Sequence, residues 1–145
     1  MQELYIDDDK QLVAVMRDLE FRKLPFTLII KDGRSRTLEQ NRLQRLWCNE
    51  VSKVTGDTPE EVRGYIKLTI GVPVLREASD KYREEYDAIL KPLNYQQKMR
   101  LMMEPLDYEV TRRMTVEQMN TFMDRVFKHY AEQGIALTQP EERAA

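Results

Sequence analysis

The residues best placed to do chemistry lie between Lys31 and Asn49, in the run KDGRSRTLEQNRLQRLWCN. Lys31, Arg34 and Arg36 stand in a loop just before a predicted helix start, where unpaired backbone N–H groups and the helix dipole also favour an anion. Winding the next residues at about 100° each puts Leu43, Leu46, Trp47, Val51 and Val54 on one face. Asn41, Arg42, Arg45, Cys48 and Asn49 fall on the other. That second face is cationic and rich in amide donors. Continuous with the basic loop, it suits a sugar-phosphate backbone, with Asn and Gln amides free to meet exposed bases. A few Arg on the wet side of a helix are also ordinary, and Trp47 on the apolar face reads as core rather than as a stacking platform.

Other chemistry is sparse. His129 is the sole histidine and sits beside polar positions of the last predicted helix, so it reads as a surface residue. Cys48 has no histidine near it in sequence and reads as a buried or half-buried spectator thiol. The five glycines stand singly, which leaves no phosphate-cradling loop. Asp7, Asp8 and Asp9 offer the carboxylates that a Mg²⁺-dependent nuclease needs. Consecutive residues point in different directions, however, and an acidic helix opening explains the run equally well. The expectation is therefore no cofactor, no metal and no catalytic residue: a binding protein rather than an enzyme.

The elements that must position these residues are legible from periodicity and capping. Leu4-Tyr5-Ile6 and Phe26-Thr27-Leu28-Ile29-Ile30 read as strands, with a helix between them on Leu12, Val15, Met16 and Leu19. From residue 37 the pattern turns helical. Thr37 with Gln40 makes a capping box for a helix to about Val54, with Gly56 as its stop. Thr58, Pro59 and Glu61 start another, ending near Ile70 and Gly71, and Val72-Pro73-Val74 reads as a connector. A helix over 79–90 stops at Pro92, and Asn94 with Gln97 starts a shorter one. Leu106, Tyr108 and Val110 alternate with polar residues as a third strand. Thr115 with Gln118 caps the last helix, with Met119, Phe122, Met123, Val126 and Tyr130 on its apolar face, and Gly134 ends it. The tail from Thr138 reads as fraying. The expected class is α+β, a small N-terminal sheet with a mostly helical remainder.

The chain has 145 residues, 41% hydrophobic and 33% charged, a balance that belongs to a folded globular protein. With no linker or repeat, one domain over 1–145 is expected. A lone cysteine rules out an internal disulfide and fits the cytoplasm; no apolar run approaches the roughly 18 residues of a membrane span. The formal net charge of −2 works against nucleic-acid binding, so any such site needs locally clustered cations.

Arg36-Thr37-Leu38-Glu39-Gln40-Asn41-Arg42, followed by Leu46-Trp47, resembles the signature of the phage NinB family of recombination mediators. A second stretch, Thr111-Arg112-Arg113-Met114-Thr115-Val116, leading through the last helix to Ala131-Glu132-Gln133-Gly134-Ile135, is similar to the closing part of the same family. The resemblance implies a mixed α/β subunit of phage or prophage origin that forms a ring-like homodimer. It also implies preference for single-stranded DNA, contact with the host single-strand-binding protein, and help for a host recombinase in reaching coated DNA. Arg36, Gln40, Asn41 and Arg42 carry over by position. With the charge pattern they give a candidate DNA-binding set of Lys31, Arg34, Arg36, Gln40, Asn41, Arg42 and Arg45, with Arg112 and Arg113 second. Two rivals stand beside this: the Mg²⁺-dependent nuclease of phage recombination, and a protein-binding adaptor without DNA affinity.

Overall fold

The structure, a computed structural model, describes residues 4–30 and 38–139. The chain divides into two compact units, the first ending at Leu38 and the second beginning at Glu39.

Among the described residues 4–30 of the first unit the regular element is α1, Asp9–Phe21. Asp8 caps it, its side chain accepting a hydrogen bond of 2.7 Å from the Gln11 N–H, which gives the acidic opening a structural role. The expected N-terminal sheet is not found. Leu4–Ile6 and Phe26–Ile30 belong to no strand, and no strand occurs among the described residues. β-prone side chains mark where a strand is tolerated; a sheet also needs a ladder to a neighbouring strand, and none is found among the described residues. The fold is helical, not α+β.

The second unit is built from α2 (Leu38–Thr55), α3 (Pro59–Ile66), a π-helical turn (Lys67–Gly71), α4 (Val72–Ala78), α5 (Asp80–Ile89), α6 (Tyr95–Met102), a 3₁₀ turn (Thr111–Arg113) and α7 (Val116–Glu132). Capping boxes at Thr58–Glu61, Asn94–Gln97 and Thr115–Gln118 start α3, α6 and α7 where the sequence places them. Gly56 and Gly134 adopt φ of 84° and 80° just past α2 and α7, the left-handed stop that glycine adopts without strain.

Two expectations fail here for identifiable reasons. Val72-Pro73-Val74 is the start of α4 rather than a connector, and α3, the π turn and α4 run on without leaving helical backbone. The π turn just upstream, closed by the Val72 N–H on the Lys67 carbonyl five residues back, widens the helix where the Pro73 ring needs room. Leu106, Tyr108 and Val110 form no strand, because Asp107 between them takes φ 45° and breaks the pleat.

The core gathers Val51 from α2, Ile66 from α3, Val72 and Leu75 from α4, Met102 from α6, Val110, and the whole predicted face of α7. Gly71 is where backbone approaches side chain most closely: a Cβ there would lie 2.7 Å from Val110 Cγ1 and 3.4 Å from Phe122 Cε1. A polar network crosses the same region. Lys67, 2% exposed, donates to Asp107 Oδ1 at 2.9 Å and to the Met102 carbonyl at 2.7 Å, and Arg63 also donates to Asp107. Burial by itself would raise the Asp107 pKa, but the hydrogen bonds from Lys67 and Arg63 outweigh it and hold the carboxyl down at about 2. The network ties α3 and the π turn to the chain beyond α6.

Candidate nucleic-acid interface

α2 is held by its inner face. Leu43, Trp47, Cys48 and Val51 are buried, and the Trp47 and Phe127 rings meet at 5.9 Å between centroids. The Gln40 amide donates to Asn120 Oδ1 at 2.6 Å, anchoring the first turn of α2 to α7. Gln40 thus makes a tertiary contact, and its predicted capping box with Thr37 lies outside the described residues. Trp47 Nε1 donates to the Thr138 carbonyl, whose residue in turn donates its N–H and hydroxyl to the Glu50 carboxylate at 3.1 and 2.8 Å. The chain expected to fray at Thr138 is docked, with Ile135 and Leu137 buried before it.

With its inner face fixed, α2 presents Asn41, Arg42, Arg45 and Asn49 outward, all four exposed. Neither Arg42 nor Arg45 forms an ion pair with any carboxylate among the described residues, whereas Arg63, Arg76, Arg83 and Arg125 do. A guanidinium already forked onto a carboxylate has its donors occupied; those of Arg42 and Arg45 are not taken by any carboxylate among the described residues.

Two residues lie on faces other than those the winding predicts. Cys48 lies in the core, and burial pushes its thiol up to about 12, so it stays protonated at neutral pH. Val54, assigned to the apolar face, is 65% exposed. The buried arc of α2 is thus centred closer to Gln44, Trp47 and Cys48 than the apolar residues alone suggest.

Lys31, Arg34 and Arg36 lie outside the described residues. Arg112 and Arg113 sit on the 3₁₀ turn, both exposed, Arg112 3.8 Å from Glu109 Oε1; no hydrogen bond or ion pair joins either to the exposed face of α2. His129, read as a surface residue, is half-buried, with Tyr65 Oη 3.3 Å and Gln133 Nε2 2.9 Å from its Nε2. Among the described residues no group of three or more His, Cys, Asp or Glu is placed to hold a metal ion.

A cleft of about 350 Å³ is floored by Leu68, Val72, Pro73 and Tyr86 and bordered by Tyr95, Lys91 and Lys98. Arg76 also lines it, but both its forks are taken by Asp87 at 3.0 and 2.8 Å. Tyr95 is 56% exposed and Lys98 follows it one turn later on α6, a spacing visible in the sequence once α6 is placed. An apolar floor beside an aromatic ring and two lysines can seat a flat, hydrophobic group attached to an anion.

No described helix is long and apolar enough to cross a membrane. No family model, curated protein or solved structure matches the chain. The NinB resemblance therefore rests on the motif residues alone.

Proposed function

We propose that this chain is a cytoplasmic, non-enzymatic single-strand DNA-binding protein of phage or prophage recombination. In this role it helps a recombinase onto DNA coated by the host single-strand-binding protein. The observation that carries the DNA reading is the exposed α2 face, where Arg42 and Arg45 stand without carboxylate partners among the described residues, between the amides of Asn41 and Asn49. Two guanidiniums on successive turns can track a phosphate backbone, and amides beside them can reach unstacked bases that a duplex keeps paired. The cleft at Tyr95 and Lys98 adds a second place where a splayed base and its phosphate fit together. The mediator role and the host partner are supported by the motif resemblance.

The test is an anisotropy titration of labelled single-stranded and duplex oligonucleotides at two salt concentrations, without and with Mg²⁺. The proposal expects tighter single-strand binding that weakens with salt and leaves the DNA intact. Absence of binding at low salt would leave the protein-binding adaptor, and shortened oligonucleotides the nuclease.

A further inference from the structure

Two clefts meet at the start of α4. The one at Tyr95 and Lys98 is joined at Thr69 and Pro73 by a second of about 250 Å³, whose far wall is α7 with Arg125, Lys128, His129 and Glu132. All of the lining residues belong to the second unit. The clefts make one groove, lined by five cations, Arg76, Lys91, Lys98, Arg125 and Lys128, against two carboxylates, Asp87 and Glu132. In a chain with 23 basic and 25 acidic side chains this is a local excess of positive charge. Arg76 is engaged by Asp87, and Arg125 gives one Nη to Glu77 at 2.8 Å. The ammonium groups of Lys91, Lys98 and Lys128 make no ion pair or hydrogen bond among the described residues.

The groove and the outward face of α2 look in different directions. α7 meets α2 through Asn120 and Phe127, whereas Arg125, Lys128 and Glu132 lie roughly 120° around α7 from that contact, at ~100° per residue. Arg42 and Arg45 stand on the side of α2 opposite its buried residues. The bodies of α2 and α7 therefore separate the two cationic surfaces, a thickness of roughly 20 Å at ~10 Å per helix.

We propose that this groove is a second single-strand binding site, so that one chain holds two strands at once. The inference rests on the DNA reading of α2 and adds a separate site to it. Pro73 and Tyr95 offer flat apolar faces to a base. Lys91 and Lys98 line one half of the groove and Arg125 and Lys128 the other, so the phosphates before and after that base each meet a cation. A duplex keeps its bases stacked inside and leaves the apolar floor empty.

Calorimetric titration at low salt of an oligonucleotide of about six nucleotides, within the range of single-strand site sizes, counts the strands bound per full-length chain. The wild type is expected to take two. Lys98→Ala with Lys128→Ala is expected to leave one, and so is Arg42→Ala with Arg45→Ala, both with unchanged thermal midpoints; the four substitutions together should leave none. Lys98→Arg with Lys128→Arg keeps the charges and should still take two. One strand per wild-type chain, lost in Arg42→Ala with Arg45→Ala, would overturn the second site and leave the α2 reading in place. Two strands on Lys98→Ala with Lys128→Ala would also overturn it. A single strand lost only in the lysine variant, or no binding by the wild type, would overturn both.

Discussion

The indole N–H of Trp47 donates to the backbone carbonyl of Thr138 at 2.6 Å, joining the middle of α2 to chain 91 residues away. Glu50, nearly one turn later on α2, accepts two further hydrogen bonds from Thr138. The same side chain thus fills the core, packs on Phe127 and fixes the segment after α7, and this is what turns Arg42 and Arg45 outward.

Trp47 is the only tryptophan and is 3% exposed, so its fluorescence reports folding rather than ligand. Saturating single-stranded DNA should leave the emission maximum unshifted, and acrylamide should quench it weakly in the native protein. Trp47→Phe keeps an aromatic ring but loses the hydrogen bond and some packing, an expected cost of about 1–3 kcal/mol by denaturant unfolding.

Asp107 contributes to acid sensitivity, beside Asp87, whose carboxyl the hydrogen bonds from Arg76 also hold below the usual range. The Asp107 pKa of about 2 lies below the unfolded value near 3.9, so its contribution is complete above about pH 4 and disappears as pH falls through 2. The contribution is of order 2 kcal/mol. Asn tolerates a left-handed backbone, which makes Asp107→Asn a near-isosteric probe. It should lower stability at pH 7 by about 3 kcal/mol, since Lys67 is left buried beside a neutral amide, and it should flatten the loss of stability between pH 4 and 2. Urea unfolding at pH 7, 4 and 2.5 checks both parts.

Gly71→Ala should destabilise, although alanine is the better helix former by about 1 kcal/mol. The new methyl meets Val110, itself 1% exposed, at 2.7 Å, and overpacking of this kind costs about 1–3 kcal/mol. Gly64→Ala is the informative contrast. Its closest neighbour, 2.8 Å away, is Cγ of the flexible Met103 side chain, so the loss in thermal midpoint should be smaller.

Much of this helical fold is legible in the sequence, because three helix starts carry a local capping pair that needs no distant partner. Thr58–Glu61, Asn94–Gln97 and Thr115–Gln118 are such pairs, and the face of α7 follows from 3.6-residue periodicity. What was misread depends on tertiary context. The apolar run Phe26–Ile30 reads as a strand only if another strand pairs with it. Pro73 reads as a breaker unless the π turn before it is known. Winding alone places Cys48 on the polar face, and only the arc of α2 covered in the folded unit puts it in the core. Of the candidate site, Asn41, Arg42 and Arg45 face outward as the winding predicted, while the cleft at Tyr95 requires α4, α5 and α6 together and has no local signal.

The most direct test of the DNA reading is the salt dependence of single-strand affinity in Arg42→Ala with Arg45→Ala. Both residues are exposed and make no ion pair among the described residues, so the variant should melt with the wild type. If α2 contacts phosphates, anisotropy titrations should show weaker binding and a slope of log affinity against log salt shallower by about 1.4, two contacts at ~0.7 each for single strands. Unchanged affinity and slope would contradict the proposed interface.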